Sequence, residues 1–139
     1  MALVARTRSL TAAAVVLVTA TLAGCGSTAP GQVAAQDACR TYANTTRGPV
    51  PETPALPSGW WTTAAGVEAV RAKAQSDALR ATSADARWQT LQNDIQDAYS
   101  LVRMGAATSN ERLTAYFAAD RRVQADCQAA GQDIGDLTP

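Results

Sequence analysis

Histidine is absent from this 139-residue chain, phenylalanine occurs once, and Lys73 is the only lysine. Each scarcity removes a class of chemistry. Without imidazole the chain lacks the commonest transition-metal ligand and the commonest general base. Lys73 lies two residues from Arg71 in a charged stretch, where a solvated ammonium is the ordinary state and an activated nucleophile is not expected. The three cysteines, Cys25, Cys39 and Cys127, form no CxxC pair, so dithiol redox catalysis is unsupported. No hydrolase, phosphate-loop or dinucleotide motif occurs. Long apolar runs are also missing: the longest, Leu10–Leu22 ("LTAAAVVLVTATL"), is well short of the ~20 residues that a spanning helix needs.

That run is nonetheless informative, because of what flanks it. Met1–Ser9 carries Arg6 and Arg8 and no acid, so a basic segment precedes a short apolar one in the layout of a secretory signal. The run closes on Leu22-Ala23-Gly24-Cys25. This "LAGC" resembles the bacterial lipobox, in which a small-residue pair precedes an invariant cysteine. The resemblance covers residues 1–25 only. It implies removal of residues 1–24, a diacylglycerol anchor on Cys25, and a location on the extracytoplasmic face of the cell membrane. The competing reading is an ordinary cut near Val18-Thr19-Ala20, which leaves Cys25 as an odd thiol in an oxidising compartment. On the lipobox reading, residues 25–31 are the lipidated terminus and a tether, 32–131 a folded domain and 132–139 a short tail. No cofactor beyond the covalent lipid is expected.

With Cys25 lipidated, Cys39 and Cys127 remain, and an even pair in an exported domain reads as a disulfide. Closing a loop of about 90 residues stabilises a fold by up to ~4–5 kcal/mol on chain-entropy grounds. The alternative is two buried thiols. A staple suits this chain, since residues 25–139 hold seven aromatics and about fifteen Leu, Val, Ile and Met, with alanine filling the rest. Alanine contributes little apolar area per residue.

Helical periodicity dominates that region. Val33, Ala35, Ala38, Cys39 and Tyr42 mark a first helix over about 32–46, with Cys39 facing inward. Pro49, Pro51, Pro54 and Pro57 then forbid helix and predict an extended strap. A second helix is expected over about 62–81, with Ala64, Val67, Val70, Ala74 and Ala78 as its stripe. Ser83 is the expected N-cap of a third helix, which carries Trp88, Leu91, Ile95, Ala98 and Val102 and stops at Gly105. Thr108 and Glu111 fit a capping box for a fourth, with Leu113, Tyr116, Phe117, Val123 and Cys127, ending near Gly131. No strand pattern of any length occurs. The expectation is all-α: a small antiparallel bundle of about four helices, stapled by one disulfide, with a Pro-rich strap between the first two.

Function is less legible. Arg6 and Arg8 belong to the leader, so residues 25–139 carry 12 acids against 10 basic residues. A slightly acidic domain argues against nucleic acid as a partner. Asp94 with Asp97, and Asp133 with Asp136, read as solvated surface acids rather than metal ligands; they lack the calcium-loop spacing. Intrahelical pairs such as Glu68 with Arg71, Asp77 with Arg80 and Arg122 with Asp126 read as solvated faces. Trp60-Trp61 is the most suggestive feature. The favoured expectation is that both rings close the bundle end under the strap, because so poor a core needs them. The alternative exposes one ring as a binding surface. The chain therefore reads as a lipid-anchored envelope protein whose helical domain binds a partner protein or cell-wall component, without catalysis. The alternatives are a carrier or sensor of a small apolar ligand and, further off, an envelope hydrolase.

Overall fold

The computed structural model describes residues 28–48, 56–103 and 109–137. The leader, Cys25, Pro49, Pro51, Pro54, Gly105 and Thr108 lie outside the described residues. Among the described residues four α-helices make up the fold: α1 (Gln32–Arg47), α2 (Ala64–Ala84), α3 (Gln89–Arg103) and α4 (Asn110–Ala129). No strand occurs among the described residues, and no helix there is long and apolar enough to cross a membrane.

Why the helices stop where they do is set by short polar side chains. Thr63 adopts an extended conformation and its hydroxyl accepts from the Gly66 N–H at 3.0 Å, so α2 starts two residues later than the apolar pattern suggests. Ser83 is not a cap. It lies inside α2, its Oγ donating back to the Leu79 carbonyl at 2.8 Å. The break falls at Asp85, whose Oδ1 accepts from the Arg87 N–H at 3.0 Å and opens the 3-10 turn Ala86–Trp88 that runs into α3. An aspartate two residues downstream competes for the capping role, and its negative charge suits a helix start. Ser109 caps α4 by accepting from the Arg112 N–H, one residue beyond the expected Thr108–Glu111 register.

The helices run up, down, up, down. At the near end, where α1 begins, Trp88 Nε1 donates to the Pro30 carbonyl at 3.1 Å and Gly31 packs on Ala81. Gln32 and Gln36 there donate to the Ala130 carbonyl. At the far end Arg47 of α1 meets Asp120 of α4, and Arg103 of α3 meets Glu68 of α2. Between the ends, Arg122 of α4 bonds Asp94 of α3 at 2.8 Å.

The core is alanine-rich, as the composition demands: Ala35, Ala38, Ala74, Ala78, Ala81 and Ala98 let the helices approach closely around Tyr42, Leu91, Ile95, Tyr99 and Val123. Cys39 and Cys127 are joined as a disulfide with Cα atoms 5.7 Å apart, tying α1 to α4. The last residues are more than a tail. Gly131, at φ 81°, ends α4 in a Schellman turn in which the Gln132 N–H bonds the Cys127 carbonyl at 2.8 Å. The chain then folds back along α1, buries Ile134 in the core and places the Gly135 carbonyl on Arg47 at 2.8 Å. A single buried isoleucine carries no periodicity, so its role is not visible in the residue pattern.

Candidate interaction surface

The tryptophan pair is held by a glycine on each side. Gly59, at φ 71°, turns the chain so that the Trp60 N–H bonds the Pro57 carbonyl at 3.2 Å and the Thr62 N–H bonds the Gly59 carbonyl at 3.0 Å. Trp60, Trp61 and Thr62 thus form a 3-10 turn leading into α2. That turn lies against the first turn of α2: a Cβ on Gly66 would fall 2.2 Å from the Trp60 carbonyl oxygen. Only glycine permits such an approach.

The two indoles meet edge to face, with ring centroids 6.0 Å apart at 84°. Trp61 is 61% exposed and Trp60 half-buried, and neither belongs to the core. This corrects the expectation that both close the bundle end. Adjacent side chains on one tight turn point in different directions, so packing one leaves the other in solvent. The aromatic core is supplied by Tyr42, Tyr99 and Trp88. Leu113, in the first turn of α4 at the same far end, is 44% exposed.

Beneath this end runs a polar network that the sequence reading did not assemble. The buried Asp120 carboxylate accepts two bonds from Arg47, Nη1 at 3.0 Å and Nη2 at 2.7 Å, and a third from the Tyr42 hydroxyl at 2.8 Å. The Thr45 and Tyr99 hydroxyls lie 2.9 Å apart, and the Arg71 guanidinium stands 5.6 Å from the Tyr99 ring centroid. Glu68 links Arg71 to Arg103; the bond from Arg103 first, then that from Arg71, holds its carboxyl below the usual range. Burial pushes the Tyr42, Tyr99 and Tyr116 phenols up, so all three remain protonated. The phenols act as neutral hydrogen-bonding groups, and Asp120 is already engaged as an acceptor. The network braces the far end rather than offering a free base.

A signal for part of it existed. Tyr116, Asp120, Val123 and Cys127 follow the helical three/four spacing, which puts Asp120 on the inner face. A buried carboxylate needs a cation, and Arg47 closes α1. Asp77 belongs to the same class. It is buried beside Ala78, with Lys73 Nζ at 2.7 Å and an Arg80 Nη at 2.6 Å. Asp94 and Asp97 are engaged by Arg122, at 2.8 and 3.5 Å, while the Asp126 carboxylate accepts from the Thr90 hydroxyl at 3.5 Å. The half-buried Asp126 carboxyl is pushed up to about 6, first by desolvation and then by the Asp94 carboxylate.

Two of the hollows on the described surface lie along α2–α3 and at the start of α4. One, of about 570 Å³, is lined by Ser109, Glu111, Arg112 and Ala115. The other, of about 290 Å³ between α2 and α3, is lined by Gln75, Ser76, Leu79, Gln92 and Gln96. Both linings mix polar and apolar surface. No protein-family model, curated protein or solved structure matches this chain.

Proposed function

We propose that this chain is a bacterial lipoprotein, cleaved before Cys25, anchored by a diacylglycerol on that residue, and displaying a helical binding domain on the extracytoplasmic face of the cell membrane. The address rests on the basic leader, the short apolar run and "LAGC". A disulfide between Cys39 and Cys127 suits the oxidising compartment that this address implies.

The binding surface is the Trp60–Trp61 turn, and its partner is a protein of the envelope. One observation carries this: Trp61 is 61% exposed on a turn whose backbone is fixed by hydrogen bonds and by the close approach of Gly66. A large ring carried on a backbone fixed before binding leaves less of the chain to be ordered on binding, and tryptophan is among the residues enriched at the energetic centres of interfaces.

Two experiments test the two halves separately. Cys25→Ala moves the protein from the membrane to the soluble fraction; continued fractionation with membranes after signal removal would sink the anchor. Cross-linking in intact cells identifies neighbours of the parent, and Trp61→Ala loses the specific one while keeping its fold and anchor. An unchanged set of cross-links counts against the tryptophan surface.

A further inference from the structure

The tether joins the bundle at a fixed point. Trp88 Nε1 holds the Pro30 carbonyl, Gln32 Oε1 accepts from the Ala29 N–H at 3.1 Å, and a Cβ on Gly31 would fall 2.6 Å from the Ala81 carbonyl. The chain is therefore seated from Ala29 onward, at the near end. From Cys25 to Pro30 is at most about 17 Å of extended backbone.

The near end has its own surface. Val33, in the first turn of α1, is 55% exposed, and Leu79, near the end of α2 where it borders the hollow shared with α3, is 53% exposed. Arg80, next to Leu79 in the sequence, exposes 62% of its side chain, and Arg87, in the 3-10 turn that leads into α3, exposes 47%. The acids facing these arginines are Asp85, 3.3 Å from Arg87, and the buried Asp77, which Arg80 shares with Lys73. Ion pairs also line the sides of the bundle: Asp37 with Arg40, Glu68 with Arg71, and Asp94 and Asp97 with Arg122. The near end adds two exposed apolar side chains to its ion-paired arginines, a composition that suits a lipid interface.

Building on the lipoprotein reading above, we propose that the near end is a membrane-resting surface, with Val33 and Leu79 entering the interface of a phospholipid bilayer and Arg80 and Arg87 meeting headgroup phosphates. The short tether makes this contact intramolecular, so a weak affinity suffices to hold it. The bundle then stands upright. From Ala81 to Ala64 the chain rises roughly 26 Å along α2 at 1.5 Å per residue, so the Trp60–Trp61 turn is held away from the lipid. The tryptophans on this view face outward and are not interfacial anchors.

Two reporter proteins test this, each keeping the buried Trp88 as a common background. One carries Trp60→Phe, Trp61→Phe and Val33→Trp; the other carries Trp60→Phe alone and reports from Trp61. Both are reconstituted in acylated form into phosphatidylcholine–phosphatidylglycerol vesicles bearing spin-labelled headgroups. The expected result is several-fold stronger quenching of the position-33 reporter than of Trp61. Equal quenching, or stronger quenching of Trp61, overturns the upright arrangement. Arg80→Glu with Arg87→Glu weakens the quenching at position 33 in vesicles rich in phosphatidylglycerol; unchanged quenching overturns the headgroup contact. Repeating the pair on residues 25–139 coupled through Cys25 to a maleimide phospholipid separates surface from anchor. Even quenching there sinks the surface whatever Cys25 carries in cells. Preferential quenching at position 33, on a protein whose Cys25 mass spectrometry finds unacylated in cells, supports the surface and sinks the lipoprotein reading.

Discussion

Replacing Arg47 by methionine removes the cation from a carboxylate that has almost no access to water. The Asp120 side chain is 3% exposed and that of Arg47 9%, and two of the three bonds that Asp120 accepts come from this one arginine. The remaining bond, from the Tyr42 hydroxyl, is insufficient compensation for a buried negative charge. Breaking a buried pair from one side costs about 3–5 kcal/mol, and Arg47→Met also releases the Gly135 carbonyl that fastens the folded-back terminus. Against a total stability of roughly 5–15 kcal/mol for a domain of this size, the loss is large.

A double-mutant cycle in urea, under non-reducing conditions so that the disulfide stays closed, separates this from simple loss of packing. Asp120→Leu alone should cost less, about 2–3 kcal/mol, because the more exposed arginine keeps its bonds to the Gly135 carbonyl and Thr46 Oγ1. The double variant should fall short of the sum by at least about 2 kcal/mol, since removing both charges leaves neither uncompensated. If the two losses add within about 0.5 kcal/mol, the pair is not coupled and the brace is not electrostatic.

Three further outcomes are expected. Asp126 has its folded pKa raised from 3.8 to about 6, so the folded state binds this proton more tightly than the unfolded chain does. The group therefore costs most stability above its folded pKa, a cost relieved as pH falls from about 6 towards 3.8. Asp126→Asn should thus be more stable than the parent at neutral pH, by a margin that shrinks with acidification in thermal melts; a margin that widens refutes the assignment. Gly66→Ala drives a methyl into the Trp60 carbonyl, 2.2 Å away, and should displace the 3-10 turn. The intrinsic fluorescence of the tryptophans reads this, with Gly66→Ser as a second probe; an unshifted spectrum in both argues against the close approach. Cys39→Ser should lower the melting temperature clearly, as the loss of up to ~4–5 kcal/mol of loop-closure stabilisation requires. An unchanged melt under non-reducing conditions would remove the bridge from the account.

The helices were legible because their signals are local and redundant. Trp88, Leu91, Ile95 and Ala98 repeat at helical spacing and all four are buried. Val33, at the first turn of α1, and Leu113, at the first turn of α4, fit the same spacing but are exposed. Cap positions moved by one or two residues where two candidates competed, Ser83 against Asp85 and Thr108 against Ser109. The polar network was missed for a different reason. Arg47 and Asp120 are 73 positions apart, and nothing near either residue names the other. The tryptophan turn was visible as a motif, but which ring faces solvent depends on the backbone path that Gly59 and Gly66 allow.

The disulfide joins the first helix to the last, and so the connections from α1 to α2 and from α3 to α4 both lie inside one covalent circuit. A protease that cuts the chain once between residues 49 and 55, or between 104 and 108, opens that circuit without releasing a fragment. The piece that carries residue 25 keeps α4 attached through sulfur. Such a nicked protein runs as one band on a non-reducing gel and as two after reduction. A single cleavage in either connection therefore leaves the domain in one piece.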